Sequence, residues 1–96
     1  MERVFIVDSA RTAIGKFGGI FSDILPEYLG GDLLKKLLAR QQLSRVDEVI
    51  VGNIIGGGGN VGRRLALASG LAVETPALTI DRQCASGLES LVVATA

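Results

Sequence analysis

Cys84 is the residue best suited to chemistry, and it is the only cysteine in the 96-residue chain. It follows an apolar stretch at 76–80 and precedes the small residues 85–87, at the start of a second apolar stretch. If these stretches are a strand and a helix, the thiol lies beside the unpaired N–H groups of a helix N-terminus, which stabilise a thiolate. This order parallels the nucleophile elbow of hydrolases and predicts a nucleophile. The alternative is a buried structural cysteine, because free cysteine often packs as a small hydrophobe.

A glycine-rich stretch offers a second candidate site. Gly57 to Gly62 satisfies the pattern G-x-G-x-x-G, and Asp81 follows about 20 residues later. This layout is typical of a dinucleotide-binding turn, which we keep as an alternative function. However, residues 52–56 separate the pattern from the preceding apolar run, whereas the fingerprint's first glycine should leave the strand directly. We therefore favour a mobile connection. A P-loop is excluded, because Arg63 and Arg64 stand where Lys and Ser or Thr are required.

The elements that position Cys84 alternate between strand and helix patterns. Apolar runs at 4–7, 49–51 and 76–80 predict three buried strands. Leucines spaced by three and four after Pro26 predict one helix, 61–69 a second, and 85–96 a third that is almost wholly apolar. Residues 8–22 have no clean period and predict a loop whose basic residues are solvated. The order β-α-β-α-β-α predicts an α/β fold with a mainly parallel sheet.

Within the first predicted helix, Gly30 and Gly31 follow each other. Each glycine weakens a helix by about 1 kcal/mol relative to alanine. A pair of them early in a helix therefore predicts close packing against another element.

Composition excludes several function classes. Ten basic and ten acidic residues balance, which removes the electrostatic argument for a nucleic-acid or membrane-surface partner. With one cysteine and no histidine there is no disulfide or zinc framework, and a lone cysteine without secretory features predicts a reduced, cytoplasmic protein. No stretch approaches the roughly 18 apolar residues of a membrane span. The hydrophobic content of 48% and mean hydropathy of +0.43 exclude a disordered tail. So much apolar surface on a short chain predicts that 1–96 is an incomplete domain, or that another chain supplies the missing half.

Three ordered motifs resemble those of the thiolase family. Residues 81–90 (DRQCASGLES) are similar to the family's active-site cysteine signature, Asn-Arg-x-Cys-x-Ser-Gly-Leu followed by a polar residue. Residues 7–19 (VDSARTAIGKFGG) resemble its opening motif, and residues 51–63 resemble its Gly-Asn…Gly-Gln-Asn-x-Ala-Arg stretch. The departures are Ala13 for the usual Pro, Asp81 for the usual Asn, and a glycine loop two residues shorter that lacks the Gln before Asn60.

The resemblance implies the first part of the N-terminal half of an αβαβα layered fold, with the rest of the enzyme absent. It implies an acyl-CoA C-acyltransferase in which Cys84 forms an acyl-thioester during Claisen condensation or thiolysis of a 3-ketoacyl-CoA. Coenzyme A thioesters, such as acetyl-CoA, would be substrates, with no metal or redox cofactor, and the assembly a homodimer or homotetramer. The family's His, Asn and second Cys would come from outside this stretch, so the chain alone would be inactive. A non-catalytic remnant of a thiolase stays open as an alternative.

Overall fold

The computed structural model describes residues 2–96 and contains three helices and two strands in that range. In chain order these are α1 (Pro26–Arg40), β1 (Val49–Gly52), α2 (Val61–Ala68), β2 (Ala77–Ile80) and α3 (Ser86–Ala94). β1 and β2 pair in parallel, from Val49 opposite Ala77 to Gly52 opposite Ile80. A parallel pair needs a crossover connection, which α2 provides. The prediction of an α/β fold with a parallel sheet is confirmed.

Local signals set the bounds of α1. Pro26 occupies the first turn, where its missing N–H costs nothing, and Glu27 lies there beside the positive end of the helix dipole. Arg40 lies in the last turn, where a cation is favoured. The chain then leaves the helix through Gln42, whose φ is +55°, and the Leu43 N–H donates to the Leu38 carbonyl at 2.9 Å.

α1 packs directly on α2 through the glycine pair, which confirms the prediction of close packing. A Cβ on Gly31 would lie 2.8 Å from the Ala68 Cβ, and a Cβ on Gly30 would clash with the Leu65 side chain. A small core of Val49, Ala66 and Leu71 lies beneath, with Leu34 and other half-buried apolar residues around it. The two helices thus cover the start of β1.

Asn60 joins α2 to β2. Its side-chain oxygen caps α2 by accepting from the Arg63 N–H at 3.0 Å and also accepts from the Thr79 hydroxyl at 2.5 Å. Its amide donates to the Ala77 carbonyl at 3.0 Å. The Gly62 N–H donates to the Thr79 hydroxyl oxygen at 2.8 Å. These bonds fix the helix start against the strand that leads to Cys84.

The prediction of a buried strand at 4–7 is wrong. The structure assigns no strand there, and the exposed fractions of Val4, Phe5, Ile6 and Val7 are 58–80%. A strand needs a neighbouring strand to satisfy its backbone groups, and within residues 2–96 only β1 and β2 pair. The segment is held at its end, where Asp8 accepts hydrogen bonds from Arg40 (2.8 and 2.5 Å) and Gln41 (2.8 Å). The observed order is therefore α-β-α-β-α.

α3 leaves an apolar face uncovered. Its only buried residue is Ser86, while Leu88, Leu91 and Val92 are more than half exposed. The helix therefore contacts the sheet through its first turn, where Ser86 is buried, and these apolar side chains remain exposed within residues 2–96. None of the described helices has the length and apolar character needed to cross a membrane.

Candidate functional site

The candidate site is the connection between β2 and α3, residues 81–86, which we call the cysteine turn. β2 ends at Ile80 and α3 begins at Ser86, so Cys84 lies between a strand end and a helix start, as predicted. Its side chain is exposed and its thiol is free. In the first turn of α3, the N–H groups of Gly87 and Leu88 find no acceptor within residues 2–96. Cys84 thus lies two residues before a helix start whose N–H groups are free, with its thiol open to solvent.

The cysteine turn holds a residue in the left-handed region, Gln83, whose φ is +50°. A residue with a Cβ pays about 1–2 kcal/mol for this conformation. Several hydrogen bonds surround it. The Gln83 N–H donates to the Asp81 carboxylate at 3.0 Å, and the Ala85 N–H donates to the Arg82 carbonyl at 3.1 Å. The strain therefore lies at the residue immediately before Cys84, inside a turn that is closely tied together.

The buried hydroxyl of Ser86 links both sides of Gln83. It accepts from the Arg82 N–H at 2.7 Å and donates to the Gln83 carbonyl at 2.6 Å, and the residue is 4% exposed. The Ser86 N–H also donates to the Gln83 carbonyl, at 3.0 Å. The hydroxyl therefore uses its one proton and one lone pair within the turn.

Gly52, at the end of β1, supports the cysteine turn from below. A Cβ at this position would lie 2.6 Å from the carbonyl carbon and oxygen of Ser86 and 2.7 Å from the Gly87 nitrogen. All three atoms belong to the backbone and cannot turn aside. The start of α3 thus rests directly on the β1 backbone, in a space that only glycine leaves open.

An ion pair joins the cysteine turn to the first turn of α3. Arg82 donates to the Glu89 carboxylate, whose side chain is 24% exposed. Glu89 lies in the first turn of α3, where the helix dipole favours a negative charge. Arg82 thus ties the cysteine turn to α3 and offsets the charge of Glu89.

The glycine-rich stretch forms a loop between β1 and α2. Gly57, Gly58 and Gly59 all have positive φ, from 57° to 79°, and Arg64 donates to the Gly57 carbonyl at 3.0 Å. Beside the loop is an open cleft. Its lining residues are Asn53, Ile54, Ile55, Gly56, Gly58, Gly59, Thr79 and Asp81. Because residues 53–60 intervene between strand and helix, the first glycine does not leave β1 as a dinucleotide fingerprint requires.

The described residues contain no group of three or more His, Cys, Asp or Glu side chains that could hold a metal ion. Asp8, the carboxylate with the most perturbed environment, lies away from the cysteine turn, at the C-terminal end of α1. Hydrogen bonds from Arg40 and Gln41 lower the pKa of Asp8 from 3.8 to about 2. This group anchors the N-terminal segment and takes no part in the candidate site.

Sequence reasoning found Cys84 but missed the residues that hold it. The sequence marks Ser86 only as a small residue beside the thiol, and Gly52 only as a residue between an apolar run and the glycine pattern. A serine close to the start of a predicted helix is a signal for hydrogen bonding to the preceding turn. For the contact between Gly52 and Ser86 no local signal exists, because it joins two elements distant in sequence.

Comparisons with known proteins agree on one family. The profile described as "Thiolase, N-terminal domain" matches residues 4–96. The protein VraB of Staphylococcus aureus (strain COL), provisionally named an acetyl-CoA C-acetyltransferase, is 42% identical over 93 residues, covering 95% of this chain and 24% of VraB. YhfS of Bacillus subtilis (strain 168), with the same provisional name, is 46% identical over 86 residues, covering 90% of this chain and 23% of YhfS.

A solved structure shows the same fold. The crystal structure of the Bacillus anthracis acetyl-CoA acetyltransferase superposes with a TM-score of 0.77 at 34% sequence identity. The match covers 83% of this chain and 21% of that chain. The chain thus spans about a quarter of the length of the curated relatives that it matches.

Proposed function

The chain belongs to the thiolase family, and we propose that it supplies the nucleophilic cysteine of an acyl-CoA C-acyltransferase. The observation that carries the proposal is the position of Cys84. Its thiol is exposed at the turn between β2 and α3, within the stretch that resembles the family's cysteine signature. The names of the relatives, acetyl-CoA C-acetyltransferase, support acetyl-CoA as one substrate.

The proposed first step is acyl transfer to Cys84. The thiolate attacks the carbonyl carbon of an acyl-CoA, the bond from that carbon to the CoA sulfur breaks, and CoA leaves as a thiolate that takes up a proton. The free N–H groups at the start of α3 suit the developing negative charge on the carbonyl oxygen. A second acyl-CoA, deprotonated at Cα, then attacks the Cys84 thioester, giving a 3-ketoacyl-CoA and restoring the thiolate. The reverse sequence is thiolysis, and neither direction requires a metal or redox cofactor.

Covalent acetylation tests this assignment. The protein, as its own gene expresses it, is incubated with acetyl-CoA, and the modified peptide is located by mass spectrometry. We expect one acetyl group on Cys84. The variant Cys84→Ala should carry none, whereas Ser90→Ala, which changes an exposed hydroxyl one turn further along α3, should behave as wild type. An acetylated peptide elsewhere, or an unmodified Cys84, contradicts the proposal.

We also propose that the 96 residues alone do not catalyse the thiolase reaction. The sequence contains no histidine and no second cysteine, which the family resemblance assigns to catalysis. Groups that act as a unit lose most of the rate when one is removed. We expect no cleavage of acetoacetyl-CoA by the purified chain when intact mass confirms its length. Measurable cleavage would contradict the proposal, because residues 1–96 would then suffice.

The proposed assembly is a homodimer or homotetramer, in the cytoplasm. Within residues 2–96, β2 pairs with β1 alone, so its other edge is open. An open strand edge is a template for pairing with a second chain, and a twofold contact would use it symmetrically. Light scattering on the expressed protein should give at least twice the mass of one chain. A monomer mass across the concentration range would refute the proposed assembly.

A further inference from the structure

We infer that Ser86 is a positioning residue for Cys84, acting through the left-handed conformation of Gln83. The inference rests on the proposed function of Cys84 as nucleophile. It concerns how the chain presents the thiol, and no substrate contact is assigned to Ser86.

The first step is the burial and full use of the hydroxyl. Ser86 is 4% exposed, accepts from the Arg82 N–H and donates to the Gln83 carbonyl. Those two backbone groups belong to the residue before Gln83 and to Gln83 itself. The Arg82 N–H lies in the peptide group between Asp81 and Arg82, and the Gln83 carbonyl lies in the peptide group between Gln83 and Cys84. A single hydroxyl therefore bridges two peptide groups, and the bridge spans the φ angle of Gln83.

The second step is the conformation that these bonds hold. At φ +50° Gln83 is in a region that a residue with a Cβ enters only when its surroundings compensate. Without the hydroxyl, the Arg82 N–H loses its partner and the Gln83 carbonyl keeps only the Ser86 N–H, so Gln83 relaxes more easily to negative φ. That rotation would turn the peptide immediately before Cys84 and change the position of the thiol relative to the start of α3.

The third step separates positioning from ordinary packing. α3 contains a matched hydroxyl, Ser90, which donates to the Gly87 carbonyl three residues earlier at 2.6 Å. Ser86 makes the same bond to Gln83 at the same distance, 2.6 Å. The two serines differ in burial, in the additional bond from Arg82, and in that only Ser86 touches the left-handed residue. Ser90→Ala is therefore the control for Ser86→Ala.

The test measures the rate of Cys84 alkylation by iodoacetamide at neutral pH, in the protein as its own gene expresses it, with adducts on Cys84 counted by peptide mass spectrometry. We expect Ser86→Ala to slow alkylation about tenfold, equivalent to about 1.4 kcal/mol, and Ser90→Ala to leave the rate unchanged. Asparagine tolerates the left-handed region better than glutamine. Gln83→Asn combined with Ser86→Ala should therefore recover most of the lost rate, which a packing role for Ser86 would not allow.

Two outcomes of this experiment overturn the inference. An unchanged or faster alkylation of Ser86→Ala shows that the hydroxyl does not position the thiol, and a loss that Gln83→Asn fails to recover shows that it does not act through Gln83. If Ser86→Ala does not fold by circular dichroism, Gln83→Val and Gln83→Asn are compared with Ser86 intact. A slower valine variant supports the inference, and equal rates overturn it. Because alkylation needs no acetyl-CoA, failure of the proposed acyl transfer would appear separately, as an unacetylated wild-type Cys84.

Discussion

Replacing Gly52 by alanine should displace the start of α3 and with it Cys84. The new Cβ would lie 2.6 Å from the carbonyl carbon and oxygen of Ser86, whereas ordinary contact begins at 3.4 Å. The backbone must therefore separate by about 0.8 Å, the difference between 3.4 and 2.6 Å. Overpacking of this kind costs about 1–3 kcal/mol of stability. A misplacement of about 1 Å in a catalytic group lowers the rate by about 10²-fold.

The control is Gly87→Ala, one residue beyond Ser86. A Cβ at Gly87 would meet nothing within 4 Å, and its φ is not in the left-handed region. Because alanine is the better helix former, this variant should gain about 0.5–1 kcal/mol. Gly52→Ala is thus expected to lower the stability and Gly87→Ala to raise it, although the two residues lie on either side of the same contact.

Urea unfolding followed by circular dichroism measures both stabilities, and acetylation of Cys84 by acetyl-CoA measures the geometric effect. We expect Gly52→Ala to lose stability and acetylation together. If Gly52→Ala is as stable as wild type and is acetylated at the same rate, the start of α3 is not seated on β1 as described. A loss of stability with normal acetylation would show that the contact supports the fold and not the position of the thiol.

Two further predictions concern charged groups away from the cysteine turn. The pKa of Asp8 is lowered in the folded state to about 2, from 3.8, by hydrogen bonds from Arg40 and Gln41. The stability that the ionised Asp8 contributes is therefore complete above pH 3.8 and is lost as the pH falls towards 2. Between these pH values, the thermal unfolding midpoint of Asp8→Asn should change less with pH than that of the wild type. Arg64→Met should cost about 1–3 kcal/mol in urea unfolding, because it leaves the buried Glu27 carboxylate, 3.3 Å from Arg64, without its cation. Glu27→Gln should cost less, and equal losses would show that charge is not the cause.

Where the sequence-based predictions and the structure disagree, the segment concerned has no neighbouring element to pack against. The pattern at 4–7 has the composition of a buried strand, yet the structure leaves it exposed because no described strand lies beside it. Leu88, Leu91 and Val92 of α3 are exposed for the same reason, because no described element covers them. The hydrophobicity of a segment indicates that it must be buried, but it does not indicate which other element will cover it.

Most of the local elements, and the position of Cys84 between β2 and α3, follow from the sequence alone, and the expected strand at 4–7 is the exception. Proline at the start of α1, asparagine before α2 and the apolar runs of β1 and β2 are signals within a few residues of the structures they produce. Which distant residues meet across the fold follows only from how the elements pack. Gly52 meets Ser86 because β1 passes beneath α3, and Glu27 meets Arg64 across 37 residues because α1 packs on α2. Local propensity acts over about one helical turn. These contacts join residues that are distant in sequence, and they form only when the helices and strands pack closely against one another.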